Sequence, residues 1–282
     1  MPRLTLRYGG GSPGARFVDG GRPLLRREAI PGGGAADPAA AHLANRLLDQ
    51  EATHPTLELP LRGGVWHLAG TGQIVLSGAN MEWTLDGALV KRAVVIELNG
   101  NHELRGSFAR NGCRGYLAVR GAWSIPRVRG SVEEGLPGVL SPVEQVSWEV
   151  ISPSSCPLHS ESPPSYADEA TLNCVPGPEY ELLDRERRNS LVNRSFTVLP
   201  ASDRQGLRLQ AEGPSNWDLP SQLSSAVLPG TVQLTPSGPI VLGPDAQTVG
   251  GYPRVLHAVD GLGALYQLRP GGTVWFTVNP LR

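Results

Sequence analysis

Apolar and polar residues alternate in short runs along much of the chain, and Gly, Pro or Asn separates one run from the next. Runs of about four to eight residues with this alternation are typical of β-strands. The runs are 56–61, 64–70, 73–79, 81–87, 93–98, 114–121, 195–200, 206–211, 231–236, 239–244, 252–259 and 272–278. The even spacing of the first six runs is typical of closed barrels and sandwiches, so we predict a mainly β protein.

A helical pattern occurs in one longer segment, ADPAAAHLANRLLDQE, at residues 36–51. Asp37 is the predicted N-cap and Pro38 the first helical residue, because these residue types favour those positions. The loop PGGG (31–34) precedes the helix, whose N-terminus can hold an anion or a carbonyl oxygen. One or two further helical turns are predicted within LGALYQLRPGG (262–272).

The alternation is interrupted between residues 131 and 170, where the stretch ISPSSCPLHSESPPSYADE is rich in Ser and Pro. Such a composition is typical of a linker or a long exposed loop. We therefore predict an N-terminal lobe at 1–135, a linker or insert at 136–175 and a C-terminal lobe at 176–282.

Composition narrows the function classes. The 282 residues carry a formal net charge of −1, which argues against a nucleic-acid binder. No apolar run approaches the ~20 residues of a membrane-spanning helix, and the first residues lack the apolar core of a signal peptide, so we expect a cytoplasmic protein. The three cysteines, Cys113, Cys156 and Cys174, are widely spaced, and no HExxH or paired CxxC motif is present. We therefore expect neither a disulfide framework nor a protein-bound metal.

Polar residues and glycines are concentrated in four motifs. These are DGGRP (19–23), PGGGAAD (31–37), SDRQG (202–206) and PDAQTVGGYPRV (244–255). The last motif lies between two strand-like runs. Its polar density there is the main indication of a functional site.

These motifs and their surroundings resemble the biotin-dependent carboxyltransferase family, which includes the C subunit of prokaryotic 5-oxoprolinase (PxpC or KipA) and the allophanate hydrolase subunit 2 type domain of urea amidolyase. The segments that carry the resemblance are IPGGGAADPAAAHLANRLL (30–48), CRGYLAVRG (113–121), PGPEYELL (176–183), SFTVLPASDRQGLRL (195–209), PIVLGPDAQTVGGYPR (239–254) and LRPGGTVWF (268–276). The resemblance implies two cyclophilin-like β-barrel lobes with a few short helices.

The resemblance also implies a function, the ATP-dependent opening of the 5-oxoproline lactam to L-glutamate together with partner A and B subunits (PxpA-like and PxpB-like). Two alternatives stay open. One is a carboxyltransferase-type enzyme acting on urea-like amides, and the other is a non-catalytic module that binds and regulates a KipI-like B subunit. The chain has neither a Gly-Lys-Ser/Thr phosphate-binding loop nor an Ala-Met-Lys-Met biotinylation sequence. We therefore expect ATP to bind with or through the partner subunits, and no covalently attached biotin on this chain.

Opening a lactam that bears a carboxylate needs a cation for the carboxylate, donors for the carbonyl oxygen and a group that moves protons. We expect the residues with these properties to converge in a groove between the lobes. The predicted catalytic residues are Asp203, Arg204, Asp245, Gln247 and Tyr252. The predicted substrate-binding residues are Asp19, Arg22, Gly33, Gly34, Asp37, Thr248, Gly250, Gly251 and Arg254.

Each residue also has a structural interpretation. Asp37 can be only an N-cap, and Gly250–Gly251 can form a β-bulge or a tight bend. Gln247 and Thr248 can satisfy backbone groups. Arg22 can be a solvated turn residue, and Arg204 can form a surface pair with Asp203.

The chain departs from the family pattern at two motifs. It has Val-Asp-Gly-Gly-Arg at 18–22 where the family usually has Gln-Asp-Leu-Gly-Arg. It has Gly-Ser-Val-Glu-Glu at 130–134 where the family often has Gly-Ser-Arg-Ser-Thr. The second difference removes an arginine and two hydroxyl groups, and if this segment lines the groove we expect a change in substrate choice or activity.

Overall fold

The computed structural model describes residues 3–133, 148–151, 155–213, 217, 219–220 and 222–279. The chain forms two compact units. The sheet unit comprises Met1–Arg22 and Gly33–Tyr166, and the barrel unit comprises Pro23–Gly32 and Ala167–Arg282. Residues 136–147 and 152–154 of the predicted linker, and Glu134 of the second departure, lie outside the described residues. The boundaries of the two lobes stay a prediction.

The described part of the sheet unit contains one helix and a ten-stranded sheet. The helix α1 is Pro38–Leu47. The strands are β1 (Arg3–Gly10), β2 (Arg16–Val18), β3 (Thr56–Pro60), β4 (Arg62–Asn80), β5 (Thr84–Leu85), β6 (Ala88–Leu89), β7 (Ile96–Phe108), β8 (Asn111–Val119), β9 (Ala122–Trp123) and β10 (Trp148–Ile151). The main path through the sheet is β2-β3-β8-β4-β1-β10-β9, and β7 also pairs with β4.

Strand β4 is the longest strand and joins two of the predicted runs into one. The sequence Gly70-Thr71-Gly72 predicts an interruption there, but the ladder continues because β7 pairs with this point. Gly70 lies opposite Leu4 of β1 and opposite Gly100 of β7. Tertiary pairing on both edges therefore overrides the local preference of glycine for a break.

Helix α1 begins as its sequence predicts. The Asp37 carboxylate accepts a hydrogen bond from the backbone N–H of Ala40 at 3.2 Å, which confirms the predicted N-cap. Its apolar face, with Ala44 and Leu47, packs on Val75 and Ala118 of the sheet.

One point of the Ser/Pro-rich stretch, Cys156, is packed against the sheet and helix α1 of its own unit. The Gln73 carboxamide binds both backbone groups of Cys156, each at 2.8 Å. The Cys156 side chain is buried beside α1. The composition predicts an exposed loop here, but Cys156 is buried. Burial is possible because the side chain of Gln73, 83 positions away, bonds the backbone N–H and C=O of Cys156.

The barrel unit is a closed barrel with the strand order β11-β18-β15-β16-β13-β12-β19 in its described residues. These strands are β11 (Glu169–Pro176), β12 (Phe196–Val198), β13 (Gly206–Ala211), β15 (Thr231–Thr235), β16 (Gly238–Leu242), β18 (Arg254–Asp260) and β19 (Thr273–Val278); the short strands β14 (Ser225–Ala226) and β17 (Val249–Gly250) pair separately. Phe196 and Phe276 meet edge to face in its interior, with ring centroids 5.3 Å apart. The mainly β fold is thus confirmed.

The helical elements of the barrel unit are short. They are the 3-10 helices Pro23–Glu28 and Tyr180–Leu182 and the α-helices α2 (Arg185–Asn193) and α3 (Leu262–Leu265). Sequence reasoning predicts α3 but misses α2, because α2 is polar along its length and buries only Leu191. None of the helices in the described residues is long and apolar enough to cross a membrane.

Candidate functional site

A pocket of about 420 Å³ lies in the barrel unit and brings together three of the predicted catalytic residues. Its lining is mostly polar. The lining residues are Asp203, Gln205, Gly206, Arg208, Gln233, Thr235, Pro236, Ser237, Ile240, Leu242, Gln247 and Tyr252. A polar pocket with three glutamine side chains can bind a small ligand that both donates and accepts hydrogen bonds.

Asp203 is positioned by the turn that leads into strand β13. Its Oδ1 atom accepts hydrogen bonds from the backbone N–H groups of Gln205 at 2.8 Å and Gly206 at 3.2 Å. Aspartate favours this turn because its short side chain reaches the backbone two residues further along. The carboxylate is thereby fixed at an exposed edge of the pocket.

Arg204 and Asp245 form a bidentate ion pair beside this turn. The Nε–Oδ2 and Nη2–Oδ1 distances are both 2.8 Å. Arg204 is only 9% exposed, so the alternative of a surface pair between Arg204 and Asp203 is wrong. The pair forms because the planar guanidinium matches the carboxylate and joins the 203–206 turn to the 244–248 loop. Neither residue is among the side chains that line the pocket.

Arg26 holds the loop that carries Gln247. Its guanidinium donates to the backbone carbonyls of Val227 at 2.7 Å, Gln247 at 2.8 Å and Ala246 at 3.2 Å. Burial lowers the pKa of Arg26 from its ordinary value. Sequence reasoning misses this residue because PLLRRE contains no motif, and only the fold shows which backbone groups it reaches.

Gln233 on strand β15 is the most deeply buried polar side chain of the pocket lining, with 2% exposure. Its Nε2 atom donates to the Tyr252 carbonyl at 3.1 Å, and its Oε1 atom lies 3.5 Å from Nε2 of Gln247. A Cβ atom at Gly250 would lie 2.5 Å from Gln233 Nε2, so a side chain at Gly250 would displace this carboxamide. The sequence signal that could have identified Gln233 is a single amide within the apolar run TVQLT.

The other predicted residues of the 244–255 motif have framework contacts. The Thr248 carbonyl accepts from Val227 N–H and the Gly251 carbonyl from Gln222 N–H, each at 3.0 Å. Arg254 pairs with Glu179 through two contacts of 2.9 and 2.6 Å. The Arg254 hydrogen bonds hold the pKa of Glu179 below its ordinary value, and the same bonds raise the pKa of Arg254.

In the sheet unit, four of the predicted substrate-binding residues are brought together around Glu133. We call the resulting set of Asp19, Arg22, Gly33, Gly34, Ser131 and Glu133 the Glu133 cluster. Glu133 Oε1 accepts from the Gly34 N–H at 2.6 Å and from the Asp19 N–H at 3.3 Å. The Asp19 carboxylate accepts from Ser131 Oγ at 2.6 Å.

Arg22 completes the Glu133 cluster. It is only 5% exposed, and its guanidinium donates to the carbonyls of Val128 at 2.9 Å, Glu133 at 2.6 Å and Ser131 at 3.4 Å. The alternative of a solvated turn residue is therefore wrong. Its role in this cluster is to bind the backbone of residues 128–133.

Asp37 belongs to a second buried network in the sheet unit. Its N–H donates to the Tyr116 hydroxyl at 2.8 Å, and the Tyr116 hydroxyl donates to Glu58 at 2.9 Å. The Tyr166 hydroxyl donates to Asp37 Oδ2 at 2.7 Å. Burial, together with the nearby carboxylates of Glu58 and Asp37, raises the pKa of Tyr116 well above its usual value, so this phenol stays protonated.

The predicted convergence of residues from both lobes in one groove stays a prediction. Within each unit, however, the arrangement is clear. Asp203, Gln247 and Tyr252 line a pocket, whereas Asp19, Gly33 and Gly34 surround the Glu133 carboxylate of the chain itself. Arg22 binds the backbone beside that carboxylate. The two groups therefore do different work in the structure.

Comparison with known proteins shows the family to which the chain belongs. Residues 28–278 match the family described as carboxyltransferase domain, subdomain A and B. The chain is 31% identical over 277 residues to the C subunit of 5-oxoprolinase from Haemophilus influenzae, covering 95% of this chain and 89% of that protein. It is also 31% identical over 251 residues to the C subunit of 5-oxoprolinase from Escherichia coli, covering 86% and 80%. The chain belongs to the carboxyltransferase domain family.

Among solved structures, TTHA0988 superimposes with a TM-score of 0.84 at 28% sequence identity. The match covers 98% of this chain and 56% of that one, so the chain spans little more than half the length of this structural relative. The two bacterial relatives carry the narrower description of a 5-oxoprolinase subunit.

Proposed function

We propose that this chain acts as the C subunit of a complex that opens the lactam ring of 5-oxoproline to L-glutamate with ATP, together with A and B subunits. Two relatives described as the C subunit of 5-oxoprolinase match it at 31% identity along most of its length. The structural observation that carries the proposal is the polar pocket that collects Asp203, Gln247 and Tyr252.

The pocket supplies the groups that lactam hydrolysis needs from a protein. Attack of water on the ring carbonyl develops negative charge on its oxygen, and the Gln247 amide and Tyr252 hydroxyl are donors for that oxygen. The Asp203 carboxylate accepts a proton from the attacking water. The ring C–N bond then breaks, and the nitrogen takes the proton from Asp203 as it becomes the amino group of glutamate.

The charge of the pocket lining favours a small ligand over a nucleotide. Its lining has one cationic side chain, Arg208, and one carboxylate, Asp203, which does not balance the charge of a triphosphate. The 5-oxoproline molecule, with one carboxylate and one neutral amide, matches this lining better. We therefore assign ATP to a surface formed with or by the partner subunits and place no step of its chemistry in this pocket.

Reconstitution tests the proposal. The chain is combined with A and B subunits from the same organism, and glutamate release from 5-oxoproline is measured with and without ATP. Glutamate that forms only with all three subunits and ATP supports the proposal. Tight binding of the B subunit without turnover would overturn it in favour of a regulatory module.

Carboxyl transfer to a urea-like nitrogen is the second candidate, and the description of the matching family favours it. The same mixtures are supplied with a carboxylated biotin carrier and urea. Formation of carboxylated urea without glutamate release would identify this activity instead. Substitutions in the pocket are expected to lower lactam opening and carboxyl transfer alike. The two activities are therefore distinguished by the substrate that reacts, not by the variants.

A further inference from the structure

We propose that Gln233 recognises the amide of the ligand, and that the pocket selects compounds whose amide N–H and C=O lie on the same side of the N–C bond. This inference rests on the proposed function and narrows its substrate class. A lactam ring forces this arrangement, and urea shares it. The proposal is therefore about a chemical group that both candidate substrates carry.

The orientation of the Gln233 carboxamide is fixed by its partners. A backbone carbonyl only accepts hydrogen bonds, so the atom facing the Tyr252 carbonyl at 3.1 Å must be the Nε2 donor. Oε1 then faces Nε2 of Gln247, which is the matching donor. Both ends of the amide are thereby assigned.

The same contacts leave bonding capacity for a ligand. A primary amide has two N–H hydrogens and two carbonyl lone pairs. One hydrogen is used at Tyr252, and the contact of Oε1 with Gln247 is 3.5 Å long, beyond the usual range of 2.7–3.2 Å for such bonds. A second N–H of Gln233 and a lone pair of its Oε1 atom thus remain for a ligand in the described part of the pocket.

These two groups are complementary to a lactam or urea. The ligand C=O accepts from Nε2 while the ligand N–H donates to Oε1, which gives two parallel hydrogen bonds. Because Gln233 is buried, a ligand that lacks the N–H leaves a polar atom without water or a partner. Such a loss costs about 1–3 kcal/mol, or roughly 5- to 150-fold in affinity.

Gly250 makes this arrangement possible. A side chain there would meet Gln233 Nε2, because the Cβ position is 2.5 Å from that atom. Strand β17, which contains Gly250, is held by its pairing with Ser225. Gly250 is therefore a positioning residue for the carboxamide.

Ligand binding to the full chain tests the inference. Dissociation constants are measured by ligand-observed NMR for 2-pyrrolidone and N-methyl-2-pyrrolidone, which differ only in the amide N–H and its methyl replacement. We expect the wild-type chain to prefer 2-pyrrolidone by about tenfold or more. Urea and N,N,N′,N′-tetramethylurea form a second pair, and the tighter of the two unmethylated ligands indicates the source of the amide.

Substitutions test whether the preference for ligands with an amide N–H depends on Gln233. Gln233→Met keeps the length of the side chain but removes both hydrogen-bonding groups, and we expect the preference to decrease to about twofold or less. Gly250→Ala provides a second route, because it displaces the carboxamide without changing it. Gln210→Ala, at an exposed position of the same barrel, is the control and keeps the wild-type preference.

Three outcomes would overturn the inference: no binding of either unmethylated ligand, no preference in the wild-type chain, or a full preference retained by a folded Gln233→Met variant. Folding is checked by near-ultraviolet circular dichroism. Glutamate release without amide discrimination would refute this inference but not the proposed function. Discrimination without glutamate release would refute the proposed function but not this inference.

Discussion

The Glu133 cluster of the sheet unit and the pocket of the barrel unit contain similar charged and polar residues. They differ in whether the side chains form hydrogen bonds within the chain or remain accessible to a ligand. In the cluster, the side chains of Asp19, Arg22 and Glu133 bind the chain itself and are almost completely buried. In the pocket, Asp203 and Gln247 are exposed and face open space. Remaining bonding capacity, rather than residue type, therefore distinguishes a binding group from a framework group.

The largest effect is expected for Arg22→Ala. The substitution removes three hydrogen bonds from a charged donor, although the carbonyls of Val128 and Ser131 keep their mutual backbone hydrogen bonds. We expect it to lower the free energy of unfolding by roughly 3–5 kcal/mol. Urea denaturation measures this loss. Arg27→Ala, at an exposed arginine, is the control and changes stability by less than about 0.5 kcal/mol. Equal effects of the two substitutions would contradict a framework role for Arg22.

Gly33→Ala is expected to have the next largest effect. Gly33 has a φ of +71°, and a Cβ atom there would lie 2.4 Å from Oε2 of Glu133. Backbone strain and this clash together cost about 2–4 kcal/mol. The control is Gly87→Ala, because Gly87 has a φ of +83° but open space around its Cβ position. A difference in melting temperature between the variants isolates the clash, and identical values would disprove it.

Acid is expected to weaken the Glu179–Arg254 pair of the barrel unit. Because Arg254 lowers the pKa of Glu179, the pair stabilises the fold above the pKa of the unfolded state. This stability is lost as the pH decreases below about 4.5, through the lower pKa of the folded state. The free energy of unfolding, measured from pH 7 to pH 3, should decrease more for wild type than for Glu179→Gln. Glu212→Gln, at an exposed position, should retain the wild-type slope.

The smallest effects on stability are expected in the pocket, together with the largest effects on activity. Gln247→Ala and Tyr252→Phe alter exposed side chains and should change the free energy of unfolding by less than about 0.5 kcal/mol. If the two side chains donate to the reacting carbonyl, each substitution lowers turnover by the reconstituted complex about tenfold or more. Unchanged turnover in both variants would remove the pocket from the mechanism.

Local patterns account for the parts of the fold that the sequence predicts well. Asp37 caps α1 as expected, because a cap depends on residues three positions apart. The strand from Gly206 to Ala211 alternates buried and exposed residues along most of its length, and its bounds match the predicted run. Helix α2 has no comparable signal, since its residues are almost all polar.

Long-range contacts account for what the sequence does not predict. Glu133 lies 99 positions from Gly34 and Arg26 lies 221 positions from Gln247, so no spacing rule links either pair. The departure at 130–134 indicates an unusual segment, but only the fold shows that Glu133 binds the glycine loop. The sequence does not identify Gln233 for the same reason. Its hydrogen-bond partners, Tyr252 and Gln247, are brought close only when the barrel closes.

The parallel pairing of β11 with β19 has a consequence for how the barrel unit is made. Glu169 lies beside Thr273, so the seam of the barrel joins segments about a hundred positions apart. During synthesis, β11 leaves the ribosome long before β19 has been made. Its edge therefore stays unpaired in the meantime, and an unpaired strand edge can pair with other chains. Premature termination before residue 273 would leave that edge permanently open, and we expect such a fragment to aggregate rather than fold.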